Sequence, residues 1–79
     1  MQTLVQAANL PPLSGSNLTV REREVLFLMI EGLNNKQIAE RLTVGLSTVK
    51  SHVSNILSKL GVESRTEAVT LAIRSHIKP

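Results

Sequence analysis

Three times beyond residue 17 of this chain a Ser, Thr or Asn is followed, three positions on, by Glu or Gln: Thr19 with Glu22, Asn34 with Gln37, and Ser64 with Glu67. In such a pair the first side chain accepts from a backbone N–H of the first helical turn, while the second reaches back to the N–H of the first residue. The pattern therefore marks a helix start. Gly32 and Gly61 fall where a left-handed residue closes a helix. This punctuation predicts helices from Thr19 to Gly32, from Asn35 to Leu42, from Leu46 to Leu60, and from Ser64 to about His76. Leu18 stands ready as a hydrophobic staple for the first, and Gly45, helped by Ser47 or Thr48, is the expected cap of the third. The fold class that follows is all-α, with four helices.

Apolar residues recur on one side of each helix. Val25, Leu26, Met29 and Leu33 form the first inward stripe, and Ile38, Ala39 and Leu42 the second. Leu46, Val49, Val53, Ile56, Leu57 and Leu60 form the third. The opposite side of that third helix is unusual: Ser47, Ser51, Ser54, Asn55 and Ser58 cover it, with Lys50 and Lys59 at its edges and no carboxylate. Ser and Asn are mediocre helix formers, so helicity did not select them. Short hydroxyl and amide side chains let a helix approach another surface closely and still offer hydrogen bonds, and flanking lysines favour an anionic one. The expectation is a helix that enters the major groove of DNA.

Charge distribution points the same way. The 79 residues carry a formal charge of +3, and all six acids are Glu. None lies between Arg41 and Val62, an interval that holds Arg41, Lys50, His52 and Lys59. Arg21, Glu22, Arg23 and Glu24 read as a solvated first turn. A chain of this length fits one small domain whose modest core gains from dimerisation or partner binding.

The sequence also excludes classes. With no Asp, Cys, Tyr or Trp, and with His52 and His76 lacking a spaced carboxylate partner, it shows no nucleophile, metal or cofactor constellation, so it does not read as an enzyme. No apolar run approaches the roughly 20 residues of a membrane span, and no signal peptide is visible, which reads as a cytoplasmic protein. Residues 1–17 end in the Pro-, Ser- and Gly-rich run PPLSGSN and read as a linker or flexible arm. Met1, Leu4, Val5 and Ala8 leave open a short docking helical turn there.

Asn35 and Lys36 open the second helix, where free N–H groups favour a phosphate. Thr43, Val44 and Gly45 join it to the Ser-rich helix, and so short a turn between two helices is the helix-turn-helix arrangement. The last helix is apolar on more than one side: Ala68 and Ala72 mark one line, Val69 and Ile73 a second, and Leu71 a third, with Arg74 beside them. One small core cannot bury all of these, so Val69, Leu71, Ile73 and Arg74 are the expected contacts of a symmetric homodimer.

With these elements in place, residues 18–76 resemble the C-terminal DNA-binding domain of the LuxR-type (NarL/FixJ) bacterial transcription regulators. The matching runs are LTVREREVLFLMIEGL, NKQIAERL, STVKSHVSNILSKLGV and SRTEAV. The resemblance implies a four-helix helix-turn-helix domain whose third helix reads double-stranded DNA and whose fourth forms the dimer contact. It implies that Lys50 contacts base edges or nearby phosphate, that Ser51 and Ser54 read sequence, and that Thr48, Asn35 and Lys36 hold phosphate. Ser47, Asn55 and Lys59 complete the expected DNA-binding set, and His52 is a packing residue.

Three departures from the family pattern stand out. Gly45 and Leu46 replace a hydroxyl residue followed by a polar one, which weakens the cap. Ser51 and Ser54 are shorter than is common there, implying more reliance on water and DNA shape. The sequence has no Asp, which excludes within these residues an acceptor aspartate of the kind found in an upstream receiver domain. It reads as the effector part of a longer regulator with PPLSGSN as linker, or as a regulator without a sensor. The competing reading is a protein-interaction module that contacts RNA polymerase or another regulator. The basic, Ser-rich face argues against it, because protein interfaces concentrate aromatic residues and Met and this chain has one Phe.

Overall fold

The computed structural model describes residues 17–75. The expected arm, its alternative helical turn and His76 lie outside them. Four helices follow in order: α1 (Val20–Ile30), α2 (Asn35–Leu42), α3 (Leu46–Leu60) and α4 (Arg65–Arg74). There is no strand among the described residues, and the domain is all-α as expected.

Both bonds of each expected capping box are present. Thr19 Oγ1 accepts from Glu22 N–H at 3.1 Å while Glu22 Oε1 accepts from Thr19 N–H at 2.9 Å. Asn34 and Gln37 exchange the same pair at 2.8 Å each. Ser64 Oγ accepts from Glu67 N–H at 3.1 Å, and Glu67 Oε1 takes the N–H groups of both Ser64 and Glu63. Gly45 caps α3 without any side-chain bond, so neither Ser47 nor Thr48 supplies the help expected of them. Leu18 packs on the core, though the α1 position that would complete a staple is Arg23.

The ends of the first three helices share one device. Gly32, Thr43 and Gly61 each adopt positive φ, at 94°, 58° and 70°. The residue after each, Leu33, Val44 or Val62, returns its N–H to a carbonyl five positions back, at 3.0 Å in every case. This six-to-one bond with an apolar following residue is the Schellman closure. Leu33, Val44 and Val62 all pack against the core. Thr43 is the exception by residue type, because a β-branched side chain at left-handed φ costs about 1–2 kcal/mol. The sequence predicts only a three-residue turn here, because its strained first residue is neither Gly nor Asn.

Val25, Leu26, Met29, Ile38, Ala39, Val49, Ile56, Ala68 and Ala72 form one buried core, with Val53, Leu57 and Leu60 half-buried against it. The third helix packs against each of the others, whereas α2 and α4 have the least packing between them. Two expectations are corrected here. Leu46, placed in the apolar stripe, is 44% exposed, because it is the first residue of α3 and projects past the edge of the core. Glu22, placed on a solvated turn, is 3% exposed, because Lys59 from the far end of α3 closes over it. The last helix ends at Arg74, with Ser75 as its cap.

Candidate nucleic-acid interface

The outer face of α3 is built by the same periodicity that fills the core. Val49 and Ile56 are fully buried. Turned away from them, Ser47, Thr48, Lys50, Ser51, Ser54, Asn55 and Ser58 are all exposed. The result is a strip of short donors and acceptors with one exposed lysine near its beginning. Lys36, at the start of α2, is also exposed, and Asn35 beside it is half-buried. The three-residue turn joins α2 to α3, and the two helices pack against each other. His52 is half-buried.

Lys59 differs from the rest of the expected DNA-binding set. Its Nζ donates to Glu22 Oε1 at 2.9 Å and to the carbonyl of Asn17 at 3.3 Å. The side chain of Glu22 is only 5% exposed and that of Lys59 is 33% exposed. Burial opposes the charge on Glu22, but the hydrogen bond from Lys59, the Thr19 N–H and the nearby ammonium outweigh it. Its carboxyl is held below the ordinary 4.5. Glu22 therefore caps α1 and is tied to the end of α3 through Lys59, whose ammonium also holds the carbonyl of Asn17, the residue just before the domain.

A second tie was not read from the sequence. Arg65, the first residue of α4, donates to Asn35 Oδ1 at 2.8 Å and to the carbonyl of Leu33. Asn35 thus bonds within the protein as well as standing at the expected interface. Its partner lies 30 residues away, and no local spacing rule connects the two.

Of the expected dimer contacts, Ile73 is 55% exposed. Arg74 is also exposed, Leu71 is half-buried, and Val69 lies partly against the domain's own core. Among the described residues no group of His or acidic side chains could hold a metal ion, and no helix is long and apolar enough to cross a membrane.

The model of the family described as bacterial regulatory proteins, luxR family, matches residues 16–72. The chain belongs to this luxR family. Membership places it among DNA-binding transcription regulators rather than enzymes. This luxR-family domain is 51% identical over 61 residues to the transcriptional regulatory protein LiaR of Bacillus subtilis, a match covering 77% of this chain and 29% of LiaR. It is 54% identical over 61 residues to the DNA-binding transcriptional activator DevR/DosR of Mycobacterium tuberculosis, covering 77% of this chain and 27% of that protein. The chain thus spans less than a third of the length of these relatives. Among solved structures, the transcription factor GerE superposes with a TM-score of 0.67 at 38% identity, covering 72% of this chain and 85% of GerE.

Proposed function

We propose that this luxR-family domain binds double-stranded DNA sequence-specifically as a dimer, with α3 in the major groove, and so regulates transcription in the cytoplasm. The observation that carries the reading is the exposed face of α3, where five Ser and Asn side chains and Lys50 form a strip without a carboxylate. A helix fits the major groove in width, and a face of short side chains lets its axis sit deep there.

In this reading Lys36, Thr48 and Asn35 hold phosphates, with Ser47 at the start of α3 beside them. Lys50 reaches the groove floor or the adjacent backbone, and Ser51, Ser54 and Asn55 face the bases. Lys59 stays with Glu22 and supports the surface from behind. Ile73 and Leu71, flanked by Arg74, meet their equivalents in a second copy, with Val69 at the margin, and the dimer sets the spacing of two half-sites.

The test is titration of duplex DNA, drawn from a selection of bound fragments, over a series of salt concentrations. Lys50→Ala should weaken binding and, for a phosphate contact, reduce the salt slope by about 0.9. Ser51→Ala should change the ranking of selected sites and leave the slope alone. Binding indifferent to salt and to both substitutions would refute the reading. A protein-interaction module would instead keep its partner in Lys50→Ala and lose it when Ile73 is changed.

A further inference from the structure

We propose that Arg65 is a positioning residue for DNA contact: it holds the Asn35 side chain with its amide N–H groups free for a phosphate. The proposal rests on the DNA-binding reading above and extends it to a residue that does not face the groove.

The chemistry fixes how Asn35 must sit. A guanidinium has donors and no acceptor, so Asn35 can meet it only through Oδ1, as the 2.8 Å bond shows. Oδ1 and Nδ2 lie on opposite sides of one planar group, so this bond sets the direction of Nδ2. No buried side-chain nitrogen or oxygen among the described residues lacks a partner. Nδ2, for which the structure shows no protein acceptor, is therefore a group in reach of solvent, carrying two donors for an outside acceptor. A phosphate oxygen is the matching acceptor at this edge of the helix-turn-helix unit, next to Lys36.

Arg65 is well placed for this work. Its second bond, to the Leu33 carbonyl, fixes the loop that leads into α2. A fork with two fixed donors spans both acceptors at once, which a single ammonium on a flexible stem cannot do as rigidly. The bonds also join α2 to α4, the two helices with the least packing between them. The position of Asn35 relative to α4 thus depends on this contact more than on apolar packing. Free rotation of the amide would present oxygen to the phosphate part of the time, which is repulsive.

The experiment measures the affinity of the full chain for a random-sequence duplex as a function of salt, since phosphate contacts do not depend on sequence. Far-UV circular dichroism establishes that each variant is folded at the assay temperature. Arg65→Ala should weaken binding about 10- to 150-fold, the worth of one lost hydrogen bond to a charged group. The salt slope should stay at the wild-type value. Arg65→Lys, which retains the charge, should fail to restore affinity, and it carries the comparison if Arg65→Ala does not fold. In an Asn35→Ala background the Arg65 substitutions should have no further effect.

A slope reduced by about 0.9 in Arg65→Ala, with full affinity in Arg65→Lys, would mean that Arg65 itself meets a phosphate and would overturn the proposal. An equal loss in the presence and absence of Asn35 would overturn it as well, by showing a general structural effect. Lys50→Ala serves as the control for the underlying reading. If it weakens binding while Arg65→Ala and Arg65→Lys bind as the wild type, the positioning role alone fails. If the wild type shows no salt-dependent binding, both fail.

Discussion

Replacing Lys59 by Met removes the partner of a carboxylate that has almost no access to water, so the domain should lose stability far out of proportion to a surface change. Deleting one member of a buried ion pair costs about 3–5 kcal/mol when the remaining charge finds no relief. Here relief is partial: Glu22 retains the Thr19 N–H at 2.9 Å, and the Lys59 side, 33% exposed, admits water. The relevant scale is then a hydrogen bond to a charged group, about 1.5–3 kcal/mol, and we expect about 2 kcal/mol for Lys59→Met. For a domain of this size that corresponds to a fall in Tm of about 8–16 °C.

Thermal unfolding followed by circular dichroism at neutral pH measures this directly, and pH provides the internal check. The carboxyl of Glu22 is depressed in the folded state, so its contribution is fully present above 4.5 and is lost as pH falls through the lower folded value. Wild type and Lys59→Met should therefore converge in acid. Adding Glu22→Gln to Lys59→Met should recover part of the loss, because a neutral amide still accepts from Thr19 and leaves no unpaired charge. Equal melting of Lys59→Met and wild type at neutral pH, or a gap that persists well below pH 4.5, would refute the reasoning.

Three further outcomes follow from the geometry. Thr43→Gly should raise stability by about 0.5–1 kcal/mol in urea unfolding, since relief of left-handed strain exceeds the added freedom of the unfolded chain. Ile56→Ala should cost about 2–5 kcal/mol, whereas Leu46→Ala should cost under about 1 kcal/mol, a contrast set by burial of 0% against 44% exposure and measured by the same unfolding. Ile73→Glu should weaken self-association in sedimentation, and weaken two-half-site DNA binding more than single-half-site binding, while leaving the unfolding midpoint of the dilute protein nearly unchanged.

What the sequence disclosed and what it hid divide by range. Capping pairs at Thr19, Asn34 and Ser64 act over three residues, so the chain order itself displays them. Helical periodicity likewise separated Val49 and Ile56 from Ser51 and Ser54. Glu22 was misplaced because its neighbours Arg21, Arg23 and Glu24 suggest solvent, while the partner that buries it lies 37 positions away. Arg65 was passed over for a similar reason, since a cation in the first turn of a helix has no local role to announce it. Leu46 was misplaced because a helical wheel has no ends, and a residue on the apolar side of the first turn can still overhang the core. The surface that the Ser-rich face and Lys50 define was thus legible; the ties that brace it were not.

The two sides of α3 draw on separate sets of positions. Val49 and Ile56 lie in the core that α3 shares with its neighbouring helices, while Ser47, Ser51, Ser54 and Asn55 are exposed. The outward positions can therefore drift under selection, or be randomised in a library, with little penalty in folding. If this face reads DNA as proposed, its preference can be changed one exposed residue at a time with the scaffold inherited intact.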